Sequence, residues 1–569
     1  MNKDSILKLK DRYLGEEKKY HRAFYLLVFA FVSLFLFYNL YHIVFAVHDD
    51  ILMYAIARNG NIGEEAMFAA KYGRLSQIWD YILLSIPFLA NKLWFYKLIA
   101  YLSILFDVWA MWFFVRNHID RTFADLCAIA FMAFATISPQ HNLFISYALC
   151  HQIPIGLFFL ALHYFMKFYE KKQKKDQILS CIFYLSACMI YETFLMYMLV
   201  FGVTACFLVG REKKGFPKFC KDVMLLILPQ LCCAAAYAVA YKLWQHYYPS
   251  PYEGIAFYLD DPLFSAKAVL DFSVSLFPVP AMNWLHDTEH ITISQFVHGI
   301  TIASLAKALL VAAAFGLVLL MVAKRIKFKG HLVVALVGTI SSCILIGFNQ
   351  KYVNVARSGV TTYIPSFYGY MYLIVPFCGL ACLIYKVLKK PVLQGIFLVL
   401  VMGFVGVLSL ASDFTVDYWK ARFVPQTVRY ENFDRAVSSD VVTNCDDTWQ
   451  IYAPDNTGIH SYEGYTLKYL MIYDETPAGG FVLSNGEIDW SKHVLCLRSD
   501  ISYQFMVAGE VDESFKTDRI TFFTSLEEPR NIVLMTDDGE EVIYQNVTDG
   551  TVIESPEGKQ FDMTYRAHS

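Results

Sequence analysis

Up to about residue 412 the chain alternates long apolar runs with short polar interruptions, and beyond that point its character changes. Residues 23–47 form the first run, long enough to cross a bilayer, which takes about 20 apolar residues. Further runs at 95–115, 122–138, 150–168, 178–193, 194–210, 222–241, 301–323, 331–348, 366–388 and 391–411 predict about eleven spans by the same length rule. Two stretches interrupt the series. Residues 51–75 hold Arg58, Glu64, Glu65, Lys71 and Arg74 and are too polar to span. Residues 76–90 are apolar but short, and Asp80 and Pro87 within them predict a juxtamembrane helix. The stretch 242–300, rich in Pro, Tyr, Trp and His, predicts an ordered lid over a cavity.

From Asp413 onward the pattern shortens to β-rich runs separated by turn residues. Ile520–Phe523, Ile532–Met535 and Glu541–Tyr544 read as strands, with Glu528-Pro529 and Asp537-Asp538-Gly539 between them. The expectation is two domains: 1–412, membrane-embedded, and 413–569, a soluble β-rich or α+β domain that opens on an amphipathic helix.

Composition agrees with this division. Hydrophobic residues make up 56% of the 569-residue chain and charged residues 17%, which excludes an ordinary soluble protein. The net charge of -3 conceals two opposite halves. The tail from Asp413 carries 28 acidic and 12 basic residues, and residues 1–412 carry 36 basic and 23 acidic. Much of the basic excess lies in the segments 167–176, 211–221, 324–330 and 386–390. By the positive-inside rule these loops and the Lys/Arg-rich residues 1–22 are cytoplasmic. The tail and the 48–94 segment are then expected on the extracytoplasmic side of the cell (plasma or inner) membrane. The first apolar run is too long for a cleavable signal and reads as a retained anchor. Of 13 cysteines only Cys445 and Cys496 lie in the tail, where an oxidising compartment would permit a disulfide.

The most conspicuous polar feature is His48-Asp49-Asp50, directly after the first span. Two adjacent carboxylates at a span's outer end suit general-base work, taking the proton of an acceptor hydroxyl as its oxygen attacks. A polar flank that stops the helix would look the same. Arg58, Lys71 and Arg74 follow at a distance suited to holding a phosphate, with Lys351 and Arg357 in an outer loop able to close the same site; lipid headgroups are the alternative partners of all five. Glu192, in Tyr191-Glu192 between two spans, is a functional candidate because a carboxylate at that depth needs a partner; a structural ion pair is the competing account. His48 serves best to shape the acidic pair, since one His with two Asp is a weak metal signal.

An acidic pair heading the first outer loop, a juxtamembrane helix and then a bundle of spans resemble the C-type (GT-C) membrane glycosyltransferases, and within them the bacterial O-antigen glucosyltransferase family. The residues that carry the resemblance are Asp49-Asp50, Arg58 and Gly73-Arg74-Leu75, with weaker echoes at Pro139, Asn142-Leu143, Tyr147 and Tyr191-Glu192. They cover about the first 210 residues. The family often has Gln where this chain has Glu192, and residues 413–569 lie outside the resemblance. The resemblance implies a GT-C-like polytopic α-helical fold and an inverting transfer of a hexose from a polyprenyl-phosphate donor to a cell-surface glycan or lipid-linked acceptor. In that reaction Asp49, Asp50 and Glu192 are the catalytic candidates, and His48, Arg58, Lys71, Arg74, Tyr191, Lys351 and Arg357 bind substrate. Some C-type enzymes use a divalent metal and others none, so metal dependence stays open. The partners are the lipid-linked sugar, the acceptor and membrane lipids, with no nucleic acid. A transporter or flippase of lipid-linked sugars, or a non-catalytic scaffold, is the alternative; a transporter would be expected to show repeated halves with interrupted helices, and no repeat is visible.

Overall fold

A computed structural model describes residues 3–43, 50, 53, 56–57, 62–72, 74–90, 92–138, 141–211, 215–249, 258–328, 330–454, 481–482, 487–502 and 504–568. Its contacts divide the chain into two units, Met1–Tyr41 with Gly63–Trp419, and His42–Ile62 with Lys420–Ser569. This division lies at 419/420 along the chain, with residues 42–62 grouped with the second unit. No break in the backbone marks that boundary, because it lies inside one continuous helix.

The first unit is helical. In chain order its helices are α1 (Lys3–Leu40), α2 (Ile62–Tyr72), α3 (Gln77–Ser85), α4 (Leu93–His118), α5 (Arg121–Ala133), α6 (Ile153–Lys171), α7 (Lys174–Ile190), α8 (Met198–Gly210) and α9 (Phe216–Tyr247). They continue with α10 (Pro262–Val274), α11 (Pro278–Glu289), α12 (Ile293–His298), α13 (Ile302–Val322), α14 (His331–Ser341), α15 (Ile344–Gly347), α16 (Gln350–Arg357), α17 (Ile364–Val387) and α18 (Pro391–Val437), the last running on into the second unit. Local chemistry sets many of these ends. The Asp120 carboxylate accepts from the Thr122 and Phe123 backbone N–H groups and starts α5. Asp261 accepts from the Phe264 N–H and is followed by Pro262, which opens α10.

Among the described residues seven helices are long and apolar enough to cross a membrane: His21–Leu40, Leu93–His118, Glu192–Gly210, Phe216–Tyr247, Ile302–Val322, Ile364–Val387 and Pro391–Val424. An eighth is reached if α10 and α11, bent by 112° at the break before Pro278, count as one span. This is compatible with a multi-pass membrane protein. Of the eleven expected runs, three fold as helices under 18 residues, and the run at 150–168 becomes α6, 19 residues long, which is not among the seven. α5 is 13 residues long, α7 is 17 and α14 is 11, and every residue of α5 from Ala128 to Ala133 is buried in protein. The 242–300 stretch also departs from the expected loop. Its described part is largely helical, in the end of α9 and in α10 to α12.

One close approach holds α4 against α6. The Asp107 carboxylate, fully buried on α4, accepts the Gly156 backbone N–H in the first turns of α6 at 3.0 Å. A Cβ on Gly156 would meet Phe106 Cε1 at 2.5 Å and Asp107 Oδ1 at 2.6 Å. Gly156→Ala is therefore expected to destabilise the protein by about 1–3 kcal/mol, the usual range for overpacking. Thermal unfolding in detergent reads this directly, and an unchanged midpoint would show that the two helices separate freely.

The second unit carries a small β region. It has β1 (Trp449–Tyr452), β2 (Phe481–Val482), β3 (His493–Ser499), β4 (Met506–Val511), β5 (Lys516–Thr517), β6 (Arg519–Phe523), β7 (Arg530–Met535), β8 (Glu541–Val547), β9 (Val552–Glu554) and β10 (Phe561–Asp562). Six of them form a sheet in the order β2-β1-β3-β4-β6-β9, in which β1 runs parallel to β2 and β3 and the other pairs are antiparallel. The strands expected at 520–523, 532–535 and 541–544 fall on β6, β7 and β8. Their inward residues Ile520, Phe522, Ile532 and Leu534 join Val494, Cys496, Phe505 and Phe561 in the core. Cys445 and Cys496 are both buried free thiols.

The β7–β8 hairpin is clamped by charge. Lys559 reaches Asp538 at 2.7 Å and Glu540 at 2.5 Å in its turn, where Gly539 takes a left-handed φ of +82°. The Lys559 ammonium, aided by the Thr536 hydroxyl, lowers the Asp538 carboxyl to about 2. A depressed carboxyl contributes stability above its unfolded pKa, and that contribution is lost as pH falls through the folded value. Hydrogen-exchange protection across the β7–β8 turn, taken relative to the free-peptide rate at each pH, is accordingly expected to fall between about pH 4 and pH 2, and Lys559→Ala should shrink that pH-dependent loss by bringing the folded carboxyl back towards its unfolded value.

Candidate functional site

Arg74 lies in the short link between α2 and α3. Its backbone N–H donates to the Gln77 side chain at 3.1 Å, which fixes the turn into α3. Glu192 lies on the far side of the first unit's sequence, where α7 ends. Tyr191 is extended (φ -148°, ψ 119°), and Glu192 opens a 3₁₀ turn over Glu192–Tyr197 that leads into α8. This break aims the Glu192 carboxylate at α3: Ser76 Oγ donates to Oε1 at 2.7 Å and Arg74 Nη1 donates to Oε2 at 3.3 Å. Arg74 Nη2 is 3.8 Å from Asp80 Oδ2, and the guanidinium carbon is 5.9 Å from the Tyr191 ring centre. The three charged side chains are only 19%, 13% and 6% exposed for Arg74, Glu192 and Asp80.

Arg74, Tyr191 and Glu192 form one wall of a cavity of about 290 Å³. Tyr237, Tyr241, Lys242 and Gln245 of α9 form another, and Asn349 and Tyr352 close the third. The walls combine a cation, hydrogen-bonding tips and aromatic faces beside apolar helices. Such a mixture suits an anionic ligand that carries a polyhydroxylated group: the guanidinium pairs oxygens and the rings pack against C–H faces.

Behind Arg74 lies a second group of polar side chains. Cys150 Sγ donates to Asp80 Oδ1 at 3.4 Å, and ligating atoms of Asp80, Cys150 and His151 all lie within 4.8 Å of one another, each side chain buried. The segment that delivers Cys150 and His151 is irregular. Tyr147 and Leu149 take left-handed φ values of 55° and 71°, which side chains other than Gly and Asn rarely adopt. It is pinned by Leu149 N–H to the Gln152 side chain at 2.9 Å, by Gln152 to the Leu143 carbonyl at 2.7 Å, and by Tyr368 OH to the His151 carbonyl at 2.5 Å.

Of the residues singled out in sequence, Arg74, Tyr191 and Glu192 come together here. Lys351 is not among the cavity's lining residues, though its ammonium is 5.8 Å from the ring centre of Tyr352, which is. Lys71 is exposed at the end of α2, 5.6 Å from the Tyr248 ring centre, and it is not among the cavity's lining residues. Arg357 is engaged elsewhere: it donates to Tyr258 OH at 2.7 Å and stacks on Phe264 at 5.2 Å. His48, Asp49 and Arg58 lie outside the described residues. Asp50 is in the second unit and only 1% exposed.

Sequence reasoning noted Asp80 only as a polar break in an apolar stretch, and it passed over Ser76, Cys150, His151 and the tyrosines of α9. The adjacent Cys150-His151 pair was the one local signal available. Its partner lies 70 residues away, beyond the reach of any spacing rule. No protein-family model matches this chain, and no curated protein aligns with it.

Proposed function

We propose that this protein is a membrane-embedded inverting glycosyltransferase that moves a hexose from a polyprenyl-phosphate carrier to a cell-surface glycan or lipid-linked acceptor on the extracytoplasmic face. The observation that carries this reading is the partly buried Arg74, held between Glu192 and Asp80 at the wall of a tyrosine-lined cavity between apolar helices. A guanidinium placed there can exchange a carboxylate for the phosphate of a lipid-linked donor while its polyprenyl chain lies along the helices.

Transfer then requires a base. A carboxylate takes the proton of the acceptor hydroxyl, the oxygen attacks the anomeric carbon from the face opposite the phosphate, and the carbon–phosphate oxygen bond breaks. The electron pair leaves with polyprenyl phosphate, whose growing charge Arg74 stabilises. Glu192 lies within reach of that cavity, and Asp49 and Asp50 are the other candidates for the base. The test is mass spectrometry of the surface glycan from cells with and without the protein. A hexose-sized increment that depends on the protein is the expected result. Gain or loss of a whole repeat unit would instead mean polymerisation or export.

The bent pair α10–α11 is the one feature that favours a carrier of lipid-linked sugars, since such proteins build their sites from interrupted helices in both halves. Among the described residues it has no bent counterpart, which leaves the transferase reading ahead.

A further inference from the structure

We propose that Asp80, Cys150 and His151 form a binding site for one zinc ion. This does not rest on sugar transfer; it rests on the donor set and its packing. A carboxylate, a thiol and an imidazole are the three side chains that zinc accepts, and here one atom of each lies within 4.8 Å of the others in the buried interior. Ligands around tetrahedral zinc are about 3.3–3.8 Å apart, given metal–ligand bonds of about 2.0–2.3 Å. Closing the group onto an ion therefore asks for side-chain shifts of about an ångström.

Charge favours occupancy. Arg74, Asp80 and Glu192 together carry one net negative charge in a poorly solvated place. On binding, the Cys150 thiol gives up its proton to solvent, a sulfur–zinc bond forms in its place, and the thiolate and carboxylate neutralise the dication. The Arg74–Asp80–Glu192 group with its ion and thiolate then sums to zero. The donor types also select the metal. Sulfur and imidazole suit zinc and disfavour the hard cations magnesium and calcium, which take oxygen ligands.

Charge and ring packing border two of the three donors. Asp80 Oδ2, the oxygen away from Cys150, faces Arg74 at 3.8 Å, and the His151 ring lies between Tyr147 and Tyr191 at 5.2 and 4.9 Å. Three protein ligands leave a fourth position for water or another ligand.

The test uses the full-length protein purified in detergent, loaded with zinc sulfate and freed of excess metal. Elemental analysis is expected to give about one zinc per chain, undiminished by millimolar magnesium. Cobalt loading should give a thiolate-to-cobalt charge-transfer band near the ultraviolet. Cys150→Ser and His151→Gln should each weaken zinc binding by at least about 10–100-fold, with Cys150→Ser also abolishing the band. Substoichiometric zinc in the wild type, a cobalt complex lacking the band, or zinc retained unchanged in Cys150→Ser would each overturn the assignment. Should either variant fail to elute as monodisperse protein, Asp80→Asn takes its place: it is expected to weaken zinc binding likewise, and zinc retained unchanged in it would overturn the assignment.

Discussion

Under the proposed function, Arg74→Ala is expected to lower the transfer rate by about 10²–10³-fold, the usual loss when one preorganised donor to a developing anion is removed. The side chain is already oriented before any ligand arrives, with Nη1 on Glu192 and the ring of Tyr191 beneath it. Its electrostatic contribution in this partly desolvated wall therefore needs no reorganisation when the phosphate leaves. Arg74→Lys keeps the charge but loses the planar fork, so it should fall between wild type and alanine. That variant also guards against a trivial outcome, because alanine leaves Glu192 and Asp80 facing each other without a cation.

Glu192→Gln preserves shape and the Ser76 contact while removing the charge. If Glu192 is the base, its rate should drop by orders of magnitude with little change in donor affinity. If instead Glu192 only positions Arg74, the loss should appear chiefly in donor affinity, and Asp49→Asn or Asp50→Asn should abolish turnover. Wild-type rates in Arg74→Ala, measured with a lipid-linked donor in detergent, would remove the phosphate role altogether.

The second large effect concerns stability. Lys307 on α13 and Asp413 on α18 pair directly inside the first unit, their side chains 1% and 5% exposed, in helices apolar enough to span a membrane. The ammonium also lies 5.4 Å from the Phe35 ring centre of α1, so it ties three helices together. Removing one partner strands the other charge without solvent. Lys307→Met alone is therefore expected to destabilise the protein by about 3–5 kcal/mol. The double variant Lys307→Met/Asp413→Leu should recover most of that loss, since a well-packed apolar pair replaces a buried ion pair at little or no cost. Reversible unfolding in mixed micelles reads all three chains. A double variant no more stable than Lys307→Met would show that the pair is held by something other than mutual neutralisation.

The extent to which each feature was legible follows from the range over which its cause acts. Apolar runs, basic interruptions and the strands at 520–523, 532–535 and 541–544 are properties of neighbouring residues, and they appear in the structure near where the pattern put them. Caps such as Asp120 and Asp261 act over two or three residues and are equally local. The number of spanning helices is different. An apolar run reads alike whether lipid or protein covers it, so hydropathy alone did not reveal that α5 is covered by its neighbours.

The site lies at the far end of that scale. Arg74 meets Glu192 across 118 positions, Cys150 meets Asp80 across 70, and Lys307 meets Asp413 across 106. Periodicity carries no term for such pairings, and Arg357 and Lys71 looked as suitable for a phosphate as Arg74 did. Which of these three cations lines the cavity was decided by helix ends and packing: the break at Tyr191 and the turn before α3. Residue types and local spacing specified an apolar, helical chain with a β-rich tail; only the packing of distant segments, where burial makes each unpaired charge costly, selected which polar groups had to meet.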